Sequence, residues 1–197
     1  MRVAGKVALI SGGARGIGGA AARLLAREGA AVVIGDLLED EGRETASQII
    51  DSGGRAMFVA MDVTSEDDWR RAIDAAVSAY GKLDVLVNNA GGAPPADSAT
   101  VSPRFNEKIV ALNLIAPMTF CQAAHRVMDD QGHDGVIINI SSVSGTRPNP
   151  LGVAYGAAKA GLVNMGATLA HEWGPGIRVL TLTVGMIVTE GAGLYYA

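Results

Sequence analysis

Val7-Ala8-Leu9-Ile10-Ser11-Gly12-Gly13-Ala14-Arg15-Gly16-Ile17-Gly18 is the stretch on which the reading of this chain turns. Four apolar residues run into a turn with four glycines, and a helical pattern follows that carries Ile17, Ala21, Leu24 and Leu25 on its inward face. A strand, a glycine turn and a helix in that order bring backbone N–H groups close to a phosphate at a helix N-terminus. A second apolar run, residues 31–34, ends at Gly35-Asp36, where a carboxylate can accept hydrogen bonds from a ribose diol. A glycine turn alone is an ordinary connection. The sequence strand, turn, helix, strand, acid is what marks a dinucleotide site.

The alternation continues along the chain. Short apolar runs at 7–10, 31–34, 56–60, 83–87, 136–140 and 178–183 lack strict polar alternation, as parallel strands buried on both faces do. Between them, Trp69, Ile73, Ala76, Val77 and Tyr80 form a helical stripe opened by Ser65-x-x-Asp68 as a capping box. Phe105, Ile109, Leu112, Ala116 and Phe120 form another, with Ser102 at the N-cap and Pro103 at the first helical position of one helix over 102–128. The fold class is α/β: a doubly wound, mostly parallel sheet with helices on both faces, in one domain over 1–197.

Composition supports this and excludes other classes. The 197 residues are 49% hydrophobic and 18% charged, enough to bury about 70% of the unfolded surface in one core. Sixteen Lys+Arg against twenty Asp+Glu give a net charge of −4, which argues against nucleic-acid or anionic-membrane partners held by bulk charge. No apolar run approaches a membrane span, and the single Cys121 excludes an intrachain disulfide, so a cytoplasmic location is expected. No metal is expected: Cys121 and His125 share a helix face without further ligands, and His133 sits in a polar loop.

A second constellation lies further on. Asn88-Asn89-Ala90-Gly91 closes the fourth strand and Ser141-Ser142 the fifth, at the sheet edge where open α/β sheets bind ligands. Tyr155 and Lys159 stand at i and i+4, so they share a helix face. A nearby ammonium favours phenolate, which moves a tyrosine from ~10 toward working pH and suits it to trade a proton with an alcohol or carbonyl. Ser142 can hydrogen-bond the same oxygen. Taken alone, a Tyr/Lys pair is more often a surface pair.

Gly12-x-x-x-Gly16-x-Gly18, Asp36, Asp62-Val63, Asn88 to Gly91, Asn113, Ser142, Tyr155 and Lys159 together resemble the short-chain dehydrogenase/reductase family, over essentially the whole chain. The likeness is to its NAD-preferring members, such as hydroxysteroid dehydrogenases and 3-oxoacyl-carrier-protein reductases. It implies an oxidoreductase that moves a hydride between NAD(H) and a secondary alcohol or ketone. Tyr155 is then the acid/base, Lys159 the ribose ligand that lowers the tyrosine pKa, and Ser142 the group orienting the substrate oxygen. Asn113 would hold a relay water. The cofactor contacts implied are Gly12, Arg15, Gly16, Ile17, Gly18, Asp36, Asp62, Val63, Asn89, Ala90, Gly91, Tyr155, Lys159, Ile187 and Thr189. NADP is the less favoured cofactor, because its 2′-phosphate would meet Asp36 head-on. The resemblance further implies a homodimer or homotetramer through helices 102–128 and 155–173.

Two departures stand out. Leu180 and Val184-Gly185 replace the family's usual Asn and Pro-Gly around the sixth strand, although Thr189 keeps its place. The chain also ends at Ala197, before the substrate-covering segment, helix and seventh strand with which the family continues, so a truncated C-terminal part is expected. A dinucleotide-binding sensor or scaffold with little catalysis is the alternative function. A sugar-nucleotide epimerase, which shares Tyr-x-x-x-Lys, ranks below both, because its glycine spacing differs and its chain is longer.

Overall fold

The computed structural model describes residues 1–132 and 134–190; His133, together with Tyr195 and Tyr196, lies outside them. Among the described residues, six strands form one parallel sheet: β1 (Val7–Ser11), β2 (Ala31–Asp36), β3 (Arg55–Ala60), β4 (Val85–Asn88), β5 (Gly135–Ser142) and β6 (Ile177–Val184). Their order across the sheet is β3-β2-β1-β4-β5-β6. The chain winds outward from β1 to β3, then returns to the other side of β1 with β4. That reversal opens a crevice at the carboxyl ends of β1 and β4, where ligands bind in such sheets.

Helices α1 (Gly16–Arg27), α2 (Glu39–Asp51), α3 (Glu66–Tyr80), α4 (Pro103–Val110), α5 (Ala116–Asp130) and α6 (Val153–Trp173) cover the two faces. One core layer joins Leu9, Val33, Leu86 and Ile137 of the sheet to Trp69, Phe120 and Leu162. The other joins Ala8, Ile10, Val32, Ile34 and Val87 to Ala22, Ala26 and Ile49. Successive residues of β1 and β2 therefore feed opposite layers, and both strands are buried along almost their whole length. That is why these runs carry no polar alternation.

Three local expectations change. The buried face of α1 is Gly18, Gly19, Ala22 and Ala26, one step round from the expected stripe, and Leu24 is 40% exposed. Small side chains let the helix lie close on the sheet, and the larger ones flank the contact. Ser65 is the N-cap of α3, but its side chain makes no cap bond; Asp68 instead accepts the Asp62 N–H at 2.9 Å. The helix expected over 102–128 is broken by one turn of π-helix, Ala111–Ile115, between α4 and α5. Its start is as expected: Ser102 Oγ accepts the Phe105 N–H at 3.2 Å, with Pro103 in the first turn.

At the opposite edge of the sheet, Asp84 ties β1 to β4. It is 2% exposed, and its Oδ2 accepts the Val7 N–H at 2.8 Å, while Lys6 and Lys82 each reach the carboxylate at 3.1 Å. Burial alone would raise this carboxyl, but the Val7 amide and the two ammonium groups outweigh it and hold it below the usual range. Asp84→Ala leaves the Val7 amide buried without an acceptor and is expected to cost about 2–3 kcal/mol at pH 7. Because the folded pKa is depressed, this stabilisation is present above the unfolded carboxylate pKa and fades as pH falls through the folded one. Urea melts of both proteins at pH 7 and pH 3 check this: the gap should narrow in acid, and equal gaps at both pH values refute the ionic part.

Candidate active site

The glycine turn is held in a shape that side chains would break. Gly12 and Gly16 have φ of +64° and +57°, a left-handed conformation that favours glycine. A Cβ at Gly12 would lie 2.9 Å from Ala90 Cα, and one at Gly18 would collide with Gly12 O. The ends of β1 and β4 are laced together across this turn. Ser11 Oγ accepts the N–H groups of Asn89 and Ala90 at 3.0 and 3.2 Å, and Asn89 Nδ2 donates to Gly12 O at 2.8 Å.

Ala14 is gripped on both sides of its backbone. Its N–H donates to Asp36 Oδ2 at 3.0 Å, and its carbonyl accepts the hydroxyl of the buried Thr45, from α2, at 2.7 Å. Arg15, next along, is the N-cap of α1 and makes no side-chain cap bond, so the first-turn amides are left for another acceptor. One acceptor is present: Glu190 Oε2 takes the Gly16 N–H at 3.1 Å. Thr45 and Glu190 had no signal in the local sequence pattern, because each acts across a long separation.

The expected adenosine-side residues sit beyond the glycine turn. Asp36 ends β2, and its second oxygen accepts the Leu38 N–H at 3.1 Å, so one lone pair on each oxygen is already used. Asp62 follows β3, with Oδ1 accepting from Thr64 N and Oγ1 at 2.8 and 2.7 Å; Val63 beside it is buried. None of these three lines the cleft that holds Ser142 and Tyr155. That cleft, about 480 Å³, runs from Arg15, Gly16 and Ile17 past Ser142 and Tyr155, with Ile187 and Thr189 on one wall and Pro94, Pro95 and Leu151 among its other lining residues.

Behind Tyr155 lies a buried polar group. Lys159 is 4% exposed, its Nζ donates to Ile140 O at 2.8 Å, and the ammonium stands 5.6 Å from the Tyr155 ring centre. Burial pulls the Lys159 pKa down to about 8. Asn113, fully buried at the middle of the π-turn, donates to Ile109 O and Gly92 O and accepts the Gly92 N–H, all at 2.9 Å. A Cβ at Gly91 would lie 2.6 Å from Asn113 Oδ1 and 3.2 Å from Lys159 Nζ, so the two side chains converge on one backbone position. Ser142 Oγ accepts the Ser144 N–H at 3.2 Å, and Ser141 Oγ donates to Lys159 O at 2.9 Å, tying β5 to α6.

The His125 ring packs on Trp173 at 4.4 Å, and burial pushes the Cys121 thiol up to about 12.

Known proteins share this fold. The short chain dehydrogenase family matches residues 6–194. The 2,5-dichloro-2,5-cyclohexadiene-1,4-diol dehydrogenase of Sphingobium indicum is 42% identical over 185 residues, which cover 93% of this chain and 74% of that one. The 3-alpha-(or 20-beta)-hydroxysteroid dehydrogenase of Mycobacterium tuberculosis is 39% identical over 189 residues, covering 95% and 71%. A crystal structure of a candidate short-chain alcohol dehydrogenase from Sinorhizobium meliloti superposes with a TM-score of 0.91 at 36% identity, over 98% of this chain and 77% of that one. With a six-stranded parallel sheet of this order and a cleft at its switch point, the chain belongs to the short-chain dehydrogenase family of NAD(P)-using oxidoreductases acting on CH–OH groups.

Proposed function

We propose that the chain carries an NAD-preferring site that interconverts a secondary alcohol and its ketone, with Tyr155 as acid/base. The observation that carries this reading is the convergence of Asn113 Oδ1 and Lys159 Nζ at Gly91, which lines the same cleft as Tyr155 and Ser142. The glycine turn suits the cofactor's diphosphate: two left-handed glycines, a helix N-terminus without a side-chain cap, and a carboxylate already resting on Gly16 N–H. When bound, the nicotinamide supplies or accepts the hydride.

The protein's own residues handle the proton. Tyr155 takes the hydroxyl proton during oxidation and returns it during reduction. Ser142 Oγ orients the substrate oxygen by a hydrogen bond. Lys159 donates one N–H to Ile140 O and holds a positive charge that favours the phenolate. Asn113 fixes the Gly92 peptide and so this part of the cleft lining, beside Lys159. The apolar Pro94, Pro95 and Leu151 suit a ring-bearing substrate, as the names of the two enzyme relatives suggest.

Asp36 sets the cofactor preference. Each of its oxygens keeps a lone pair for the ribose diol of NAD, whereas NADP would bring a phosphate against it. At ~4 Å and an effective dielectric of ~20, each unit of charge product costs about 4 kcal/mol before relaxation. Screening and the opposing charge of Arg15 reduce this to a preference of about 10²–10³-fold, or about 3–4 kcal/mol. The ratio of kcat/KM values for NAD and NADP, measured by absorbance over a panel of cyclic alcohols, tests it. Asp36→Ala should shrink the ratio, and equal use of both cofactors by the unmodified chain would overturn the assignment of Asp36.

A further inference from the structure

The carboxylate of Glu190 stands at the N-terminus of α1. Its Oε2 accepts the Gly16 N–H at 3.1 Å, its own amide also donates to it, and Arg15 and Arg23 are close enough to attract it. These amides and charges hold the Glu190 carboxyl below the usual carboxylate range. The residue before it, Thr189, packs over the same turn: a Cβ on Gly16 would lie 3.6 Å from the Thr189 methyl carbon. Arg15 makes no cap bond of its own, so the Glu190 carboxylate supplies the anion that this helix end lacks.

We infer that Glu190 is an affinity-setting residue that competes, from within the chain, with the diphosphate of the dinucleotide for the Gly16 N–H and the attraction of Arg15. This rests on the dinucleotide reading above and goes beyond it. One N–H at 3.1 Å cannot serve a carboxylate and a phosphate in line, and two anions at one helix end repel. Binding therefore requires Glu190 to leave. The measured dissociation constant is then the intrinsic one divided by the fraction of molecules in which Glu190 has already moved away. Ile187 and Thr189 line the cleft that holds Ser142 and Tyr155, so the same movement shifts one of its walls. Arg15, no longer drawn to Glu190, then faces the phosphates, while Arg23 keeps its contact with the Thr45 hydroxyl at 3.4 Å.

The expected result is a gain of affinity on mutation. Titration calorimetry with NAD and with ADP, which shares the diphosphate but lacks the nicotinamide, should show Glu190→Gln binding both about 3–10-fold tighter than the unmodified chain. Glu190→Ala should do at least as well. Glu41→Gln is the control: Glu41 is an exposed acid on α2, in an open groove that it shares with Arg15, Arg23 and Glu190, and among the described residues no hydrogen bond joins it to the glycine turn. It should change affinity by less than about twofold, as expected of a screened surface charge. Equal or weaker binding by both Glu190 variants overturns the inference, and so does an equal gain from Glu41→Gln, which would reduce the effect to bulk charge. If the unmodified chain and all variants fail to bind either nucleotide, the dinucleotide reading itself falls and takes this inference with it.

Discussion

Replacing Tyr155 by Phe is expected to lower kcat by about 10²–10⁴ while leaving NAD affinity within about twofold. The reason lies in what the substitution keeps. Tyr155 lines the cleft beside Ser142, and its ring is the surface over which the Lys159 ammonium sits at 5.6 Å. Phe retains that ring, so the packing at the start of α6 and the position of Lys159 are preserved. Only the phenolic oxygen is lost, and with it the group proposed to trade a proton with the substrate. The glycine turn, Asp36 and the Ala14 grip are separate from this change, so the proposed dinucleotide contacts there are expected to survive it. Calorimetry with NAD and steady-state turnover separate the two effects. A Phe variant with near-normal kcat would remove Tyr155 from the chemistry, and a variant that loses NAD binding would make it a structural residue instead.

The sheet was legible because parallel strands buried on both faces leave continuous apolar runs, and all six runs became strands whose ends moved by two residues or fewer. The order of motifs along the chain also translated directly, since in this topology successive strand ends meet at one edge. What escaped the sequence were features decided by packing. The buried face of α1 follows its small residues, not its largest apolar ones, because close approach of helix to sheet outweighs the transfer energy of Leu24. Asp68 was available to cap α3, but the free amide of Asp62 at the end of β3 won it. The π-turn at Asn113 left no mark in a helical stripe that reads straight through it, and it places a polar side chain in the core where its amide can span Ile109 O and Gly92. Thr45 and Glu190 reach the glycine turn from distant parts of the chain, and nothing in the pattern around them points there.

Lys159→Met is expected to make the protein more stable and nearly inactive. Burial lowers the lysine pKa from its ordinary 10.5 to about 8, which corresponds to about 3 kcal/mol of unfavourable charge burial at pH 7. The sign follows from proton binding. Between pH 8 and 10.5 the unfolded chain holds this proton and the folded chain does not, so stability rises with pH across that window. Below pH 8 the full cost is present. Methionine fills similar space without a charge, but it leaves Ile140 O without its 2.8 Å donor, a loss of about 1–2 kcal/mol. The net expectation at pH 7 is a gain of about 1–2 kcal/mol, and by pH 9.5 most of the advantage should be gone, because the unmodified protein has shed the proton. Turnover moves the other way. Without the ammonium behind its ring, Tyr155 loses the charge that favours its phenolate, and kcat should fall by about 10² or more. Thermal melts at pH 7 and 9.5, run beside turnover assays, test both halves. A methionine variant less stable at pH 7, or one whose stability difference does not change with pH, would show that the buried ammonium is already compensated; an active variant would show that Tyr155 works without it.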